Sequence, residues 1–245
     1  MMAKLDPVSL ANYNLSRHIK TIEHVCHAPF ANMYFNVMGQ AAPCWLSFNG
    51  SLSYPEYSIR DIWFGSHFSK LRQDLAQNEF CDSCSVCYRN IKNGLYLNPL
   101  ARAYDTEFPL EVYPQIMEFE LSSRCNLECV MCNGRLSSTI RKNRDGLPVA
   151  ESPYDEAFVE QLTEFLPHLK EARFNGGEPF LQEICWQIWE KIIDENPNIL
   201  ITVATNGTVW TPRVQDLLER GNFRINVSID GFSKDIYEGI RKNSK

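Results

Sequence analysis

The apolar positions of this chain change their spacing near residue 115. Beyond it, short apolar runs alternate with stretches whose apolar residues fall three and four apart, the pattern of strands alternating with helices in a parallel α/β layout. Ile116 to Leu121 reads as a first strand. Ser152, with Pro153 next and Asp155 three residues on, reads as a helix start, and Phe158, Leu162, Phe165 and Leu166 mark its apolar face before Pro167 ends it. A second strand, Glu171 to Phe174, runs into Asn175-Gly176-Gly177-Glu178-Pro179. A helix follows with Ile184, Cys185, Ile188, Trp189, Ile192 and Ile193 inward, then a third strand, Ile199 to Ala204, leading to Thr205-Asn206-Gly207-Thr208. Thr211 and Pro212 open the next helix and Gly221 closes it. A fourth strand, Arg224 to Ile229, ends in Asp230-Gly231, and one more helix starts at Ser233. Ligands of parallel α/β folds bind where the loops at the carboxyl ends of the strands converge, and all four polar or cysteine-bearing loops lie at such ends.

The earlier residues follow another pattern. Met33 to Val37 and Ala41 to Leu46, broken by Gly39, predict a hairpin, and Ser58 to Gln77 carries Ile59, Ile62, Trp63, Phe68 and Leu71 at helical spacing. Polar and proline residues collect between Ala101 and Pro114. The expected organisation is a tail over 1–22, a small cysteine-rich α+β domain over 23–112 and an α/β core over 113–245.

With 44% hydrophobic and 22% charged residues, the 245-residue chain has the apolar material of a folded protein. Its 24 Lys+Arg against 30 Asp+Glu leave a net charge of −6, so no overall positive field selects nucleic acid. The first twenty residues lack an apolar core of signal-peptide length, and the longest apolar run, Ile199 to Ala204, contains Thr202 and is far too short to span a bilayer. A cytoplasmic location without membrane partners is expected. In a reducing compartment, nine cysteines read as metal ligands or buried thiols rather than disulfides.

Six of the nine occupy two short windows. Cys125, Cys129 and Cys132 form a C-x3-C-x2-C triple that lets one loop bring three thiolates to one metal centre. Three thiolates on a cubane cluster leave the fourth iron open to a ligand, whereas a zinc site would need a fourth donor from elsewhere. An open iron could be chelated by an amine and a carboxylate, as at the methionyl end of S-adenosylmethionine. Gly176 and Gly177 allow close backbone approach to such a ligand, Glu178 offers a carboxylate for its ammonium group, and Ser228 and Asp230 offer polar partners beside it.

Cys-Asn-Leu-Glu-Cys-Val-Met-Cys after the first strand, Gly-Gly-Glu-Pro after the second, Ala-Thr-Asn-Gly-Thr after the third and Val-Ser-Ile-Asp-Gly after the fourth resemble the radical S-adenosylmethionine superfamily. The resemblance covers about residues 114–245. It implies a partial (β/α) barrel, a 4Fe-4S cluster on Cys125, Cys129 and Cys132, and a methionyl amine held by Gly176, Gly177 and Glu178, with Asn206, Ser228 and Asp230 near the ribose. It further implies reductive cleavage of S-adenosylmethionine to methionine and a 5'-deoxyadenosyl radical that takes hydrogen from a substrate, with flavodoxin or ferredoxin as electron donor. Met131 stands where that family more often has an aromatic residue. Four strands are present where the family's barrel has six, so an incomplete barrel is expected.

Cys26, Gly39-x4-Cys44, Ser-Ile-Arg-Asp-Ile-Trp and Cys84-x2-Cys87 resemble the SPASM/twitch auxiliary-cluster domain, here placed before the core rather than after it. That resemblance implies an auxiliary 4Fe-4S cluster on Cys26, Cys44, Cys84 and Cys87, with Cys81 an alternate ligand or a bystander; a structural zinc site suits the same residues. Relatives with such a domain commonly modify peptides or proteins, which makes a peptide or protein the first expected substrate and a small metabolite or nucleotide sugar the second. A non-catalytic zinc scaffold that binds a partner is the alternative from another class. Cys185 is expected to be a buried thiol, His24 and His27 solvated, the aromatic set Phe64, Phe68, Trp186 and Trp189 core, and Arg141, Lys142, Arg144 and Asp145 a solvated loop.

Overall fold

The computed structural model describes residues 3–19 and 22–244. The chain divides into two compact units, Met1–Tyr34 with Gln40–Gln115, and Phe35–Gly39 with Ile116–Lys245.

The first unit opens with strand β1 (Ala3–Lys4) and helix α1 (Pro7–Leu15). Asp6 caps α1, its carboxylate accepting the Ser9 N–H at 2.9 Å, and Pro7 starts the helix where its missing N–H is not needed. Leu5 and Tyr13 are buried against Val25, Leu75, Phe80 and Ile91. Arg17 pairs with Asp105 at 2.9 and 2.5 Å, fully buried on its own side. The segment expected as a tail is therefore built into this unit, because a tyrosine ring and a buried guanidinium fork anchor it; Met1, Met2, Lys20 and Thr21 lie outside the described residues. Helix α2 (Ala28–Ala31) leads into β2 (Asn32–Phe35) and β3 (Ala41–Ala42). The expected Ser58–Gln77 helix is two, α3 (Ile59–Phe64) and α4 (Ser66–Ala76). Gly65 between them is extended, ending one helix and starting the other, and a Cβ there would lie 2.3 Å from the Asp61 carbonyl oxygen. Strand β4 (Glu79–Phe80) pairs antiparallel with β1, Ala3 opposite Phe80, and α5 (Ser85–Lys92) follows. Phe64 is not core: it is 38% exposed and lies edge-on to Tyr113.

In the second unit β5 (Ile116–Phe119), β6 (Glu171–Phe174), β7 (Leu200–Thr205) and β8 (Phe223–Val227) run parallel in that order. Ile116 lies opposite Glu171, which in turn lies opposite Leu200, and Ile201 opposite Phe223. In β6 the burial alternates, Ala172 and Phe174 inward, as a strand's side-chain period of two requires. The loop after β5 carries a short helix, α6 (Ser138–Asn143), where a solvated charged loop was expected, since Ser137 caps it by accepting the Ile140 N–H at 3.3 Å. Helix α7 (Glu156–Gln161) is capped by Asp155, which accepts the Phe158 N–H at 3.0 Å. Ser152 does not cap it; its hydroxyl donates to the Leu121 carbonyl at 2.9 Å and so ties the helix approach to the end of β5.

Helix α8 (Glu183–Glu195) buries Cys185, Trp186, Ile188, Trp189 and Ile192, leaving Ile184 and Ile193 half-buried. Phe119 stacks on Phe174 at 4.9 Å, Trp189 meets Phe174 edge-on at 5.3 Å, and Phe158 joins from α7, so the core sits between sheet and helices. Helix α9 (Pro212–Arg220) is capped by Thr211 and ends at Gly221, and α10 (Lys234–Ile240) follows Ser233. The α/β class and the parallel order are those of the expected barrel segment. Among the described residues no helix is long and apolar enough to cross a membrane.

Candidate functional site

The loops after β5, β6 and β7 are joined by hydrogen bonds at the carboxyl ends of their strands. The Glu178 N–H donates to the Arg124 carbonyl at 2.8 Å, fixing the loop after β6 beside the first cysteine. The Glu178 carboxylate, fully buried, accepts from the Thr205 hydroxyl at 2.7 Å, the Asn206 N–H at 2.7 Å and the Phe180 N–H at 3.3 Å. Burial raises its pKa above the usual carboxylate value of 4.5, and the three donors only partly offset this. The Asn206 amide donates to Asn126 Oδ1 at 2.9 Å and lies 4.0 Å from Cys125 Sγ, while its own carbonyl accepts the Thr208 hydroxyl at 2.7 Å.

Gly176 and Gly177 both take left-handed backbone, φ +74° and +56°. A Cβ on Gly176 would lie 2.3 Å from Glu120 Cγ, and one on Gly177 2.5 Å from the Arg124 carbonyl oxygen, so glycine is required twice over. The Gln182 amide donates to the Gly176 carbonyl at 2.7 Å and holds the turn.

Cys125 is clamped through its backbone: its N–H donates to Ser138 Oγ at 3.1 Å, and its carbonyl accepts from the Thr139 hydroxyl at 2.6 Å. Burial raises the pKa of Cys125, and the neighbouring Glu178, Cys129 and Cys132 add to that rise. Cys132 is raised likewise, by burial first, with Arg144 and Arg241 opposing it. The three thiols are thus electrostatic neighbours on one loop. Arg241 Nη1 lies 3.8 Å from Cys129 Sγ, and Arg241 Nε is 2.5 Å from Asp230 Oδ2. The N–H groups of Glu128 and Val130 donate to the carbonyls of Lys242 and Ile240, laying the end of α10 along the cysteine loop. Asp230, expected beside a ribose, is therefore engaged by Arg241. The Ser228 N–H donates to the Thr205 carbonyl at 2.9 Å, and its side chain is half-buried. Met131 is 60% exposed at the rim.

An all-thiol donor set with a guanidinium beside it is the chemistry that an iron-sulfur cluster takes, one thiolate per iron. Among the described residues no three His, Cys, Asp or Glu side chains converge on one point as a mononuclear site requires. In the first unit Cys26, Cys44, Cys84 and Cys87 line one small cavity with Leu75, Phe80 and Tyr104. Burial raises Cys26, with Cys44 adding to it. Cys81 is outside that cavity lining; its Sγ lies 3.3 Å from Cys84 Sγ, a contact that holds the Cys81 thiol below its ordinary value and, together with burial, pushes the Cys84 thiol up. The four-thiol set fits a cluster on the same donor chemistry. His27 is buried rather than solvated, with His24 half-buried beside it. Cys185 is a buried thiol on α8. Sequence reasoning missed Arg241, Gln182 and Asn126; the last lies inside the cysteine motif, whereas nothing local marks Arg241.

Residues 119–245 match the family model of the Radical SAM superfamily, and residues 26–88 match the SPASM model, an iron-sulfur cluster-binding domain. The AdoMet-dependent heme synthase of Methanosarcina barkeri is 30% identical over 131 residues, covering 52% of this chain and 34% of that protein. The GTP 3',8-cyclase of Limosilactobacillus fermentum is 26% identical over 147 residues, covering 58% and 41%. The match thus spans 34% and 41% of the length of these two relatives. A solved structure titled native anSMEcpe with bound AdoMet is 25% identical, with TM-score 0.41, over 52% of this chain and 35% of that one.

Proposed function

The chain belongs to the Radical SAM superfamily, and on that footing we propose that it is the cofactor-binding part of an enzyme that cleaves S-adenosylmethionine reductively and takes a hydrogen atom from a peptide or protein. Membership carries a 4Fe-4S cluster and S-adenosylmethionine with it, and the SPASM match carries an auxiliary iron-sulfur cluster. When bound, the cluster supplies the electron that breaks the sulfonium to methionine and a 5'-deoxyadenosyl radical.

In this reading Cys125, Cys129 and Cys132 hold the catalytic cluster, and Cys26, Cys44, Cys84 and Cys87 hold the auxiliary one. Gly176 and Gly177 let the methionyl group reach the backbone, and Glu178 accepts from its ammonium. Asn206 orients the ribose side of the site. Ser228 stands next to it, and Asp230 acts through Arg241, balancing the guanidinium that faces Cys129. The observation that carries the proposal is the bonded bridge from Glu178 through Asn206 to Asn126, which joins the glycine turn to the cysteine loop. A flavodoxin or ferredoxin would supply the electron. The names of the heme synthase and the GTP cyclase support a second reading, a small metabolite or nucleotide as substrate.

The test is anaerobic reconstitution with iron and sulfide, followed by addition of S-adenosylmethionine under a strong reductant. The expected products are methionine and 5'-deoxyadenosine, and Cys125→Ala abolishes them. Protein that takes up zinc, binds no sulfide and leaves S-adenosylmethionine intact would be a metal scaffold instead. Transfer of deuterium from labelled peptide or labelled metabolite into 5'-deoxyadenosine decides the substrate class.

A further inference from the structure

The first unit carries one thiol more than an auxiliary cubane uses. Cys26, Cys44, Cys84 and Cys87 line the small cavity, whereas Cys81 is half-buried and stands outside its lining. The surplus thiol nonetheless touches a member of the set, Cys81 Sγ lying 3.3 Å from Cys84 Sγ. Thiolates on separate irons of one cluster point away from each other, so two sulfurs in contact form a pair of which only one serves the cluster. Local structure enforces the contact. A single tight turn, Asp82–Cys84, joins the two residues, and the Cys84 N–H donates to the Cys81 carbonyl at 2.9 Å. Ser83 Oγ lies 3.0 Å from Cys81 Sγ and 2.9 Å from Oγ of the buried Ser47, whose N–H donates to the Cys44 carbonyl at 3.1 Å. Cys81 is thus held against Cys84 through its backbone and its sulfur, and tied to the loop that carries Cys44.

We propose that Cys81 and Cys84 form a thiol-disulfide switch, closed by a low-molecular-weight disulfide of the glutathione class, that withholds Cys84 from the auxiliary cluster until it is reduced. It rests on the reading of Cys84 as an auxiliary-cluster ligand. The Cys81 sulfur, as thiolate, attacks one sulfur of the small disulfide, which forms a mixed disulfide and releases one small thiolate. The Cys84 sulfur then attacks the Cys81 sulfur and expels the second. Two cysteine thiols are oxidised to one disulfide, one small disulfide is reduced to two thiols, and the two cysteine protons end on those thiols. The backbone allows the bond, since a hydrogen-bonded turn keeps its end Cα atoms within about 7 Å and disulfides bridge Cα separations of about 4.4–6.8 Å. With Cys84 bonded to Cys81, the cavity keeps Cys26, Cys44 and Cys87, one thiolate short of a cubane's full set. A dithiol reductant returns the missing one.

The experiment treats the full chain, free of iron, with glutathione disulfide, blocks the remaining thiols and maps the pairing by non-reducing peptide mass spectrometry. A Cys81–Cys84 bond is expected in most chains and is absent from Cys81→Ser. Chain loaded with iron and sulfide before the oxidant is expected to lack the bond, because Cys84 is then committed to iron. Reconstituted without added thiol, the oxidised chain is expected to take up the second half of about eight irons several-fold more slowly than the reduced chain. That difference is expected to vanish in Cys81→Ser, which keeps all the cavity thiols. No bond at Cys81, a bond from Cys84 to Cys87 instead, or a scrambled mixture overturns the switch. So does a loss of iron from reduced Cys81→Ser, which makes Cys81 a ligand. The two readings fail separately: a missing bond in the iron-free chain removes the switch and leaves the cluster assignment, whereas reduced wild type that never exceeds about four irons removes the assignment and the switch with it.

Discussion

Replacing Glu178 by Gln separates two roles that the geometry gives this carboxylate. As a strut it accepts from Thr205, Asn206 and Phe180; as a ligand it would meet an ammonium group. The amide keeps most of the strut. Its carbonyl oxygen can face the Asn206 N–H, and the Thr205 hydroxyl can turn from donor to acceptor toward the new NH2, since a hydroxyl does both. Only the 3.3 Å contact from Phe180 is lost outright. The raised pKa says that burial costs the charged form more than its hydrogen bonds return, so loss of the charge is not a loss of folding stability. The unfolding free energy of the ligand-free variant is expected to stay within about 1 kcal/mol of wild type, the scale of one neutral hydrogen bond. S-Adenosylmethionine affinity behaves differently. A charge-assisted bond exceeds a neutral one by about 1–2 kcal/mol, so the dissociation constant is expected to rise about 5- to 30-fold.

The assay pairs urea unfolding with equilibrium binding to the reconstituted protein. The pH dependence adds a check on sign. A carboxylate whose folded pKa is raised contributes stability that is present below its unfolded pKa and lost as the pH climbs from about 4.5 through the folded value. Wild type should therefore lose stability over that window, and Glu178→Gln should lack this part of the slope. Unchanged affinity for S-adenosylmethionine would leave Glu178 a strut only. A fall in stability of several kcal/mol would refute the inference that burial outweighs the hydrogen bonds.

Gly177→Ala is expected to destabilise the second unit by at least about 1–2 kcal/mol, the cost of left-handed backbone at a residue with a Cβ, because φ is +56° and the Arg124 carbonyl blocks the methyl; urea midpoints read this directly. Asp105→Asn should cost about 3–5 kcal/mol by leaving the Arg17 guanidinium buried without its counter-charge, measured as a lower thermal midpoint that added salt does not mimic. Arg241→Gln removes the cation beside Cys129 and is expected to shift the reduction potential of the catalytic cluster downward, read by redox titration of its spectrum. Cys185→Ala should leave iron and sulfide content unchanged while Cys125→Ala lowers both, since the Cys185 thiol is shut inside α8's apolar face.

The four parallel strands and the loops between them were legible because period-two burial and terminal glycines leave local traces, as in Glu171–Phe174 with Gly176 and Gly177 after it. The three-cysteine loop was legible from spacing alone. What escaped was set by partners far along the chain. Arg241 reaches Cys129 from 112 residues away, and no local pattern distinguishes it from a solvated arginine. Ser152 carried every mark of a helix cap, yet Asp155 competes for the same role and wins, freeing the serine hydroxyl for Leu121. The apolar face over Ser58–Gln77 concealed a break, since both halves share one periodicity and only the extended Gly65 divides them. Residues 1–22 read as a tail because one tyrosine and one arginine make a weak pattern, although their burial with Leu75 and Asp105 is decisive.

Asn206 shows why the motifs of such a chain are spaced as they are. Its N–H serves Glu178, its amide nitrogen serves Asn126, and its side-chain oxygen receives both the N–H and the hydroxyl of Thr208, so almost every polar atom of the residue is already committed inside the protein. A residue so committed has little left to offer a ribose directly. Its effect is on position: it fixes the distance between the carboxylate of one loop and the first thiol of another. Asn126, which also donates to the Thr208 hydroxyl at 2.8 Å, closes the ring of bonds. Loops of this kind lose ordering entropy during folding instead of at the moment of binding, so the later association keeps more of its free energy. The asparagine inside the cysteine motif and the asparagine after the third strand are thus one device, and neither is intelligible without the other.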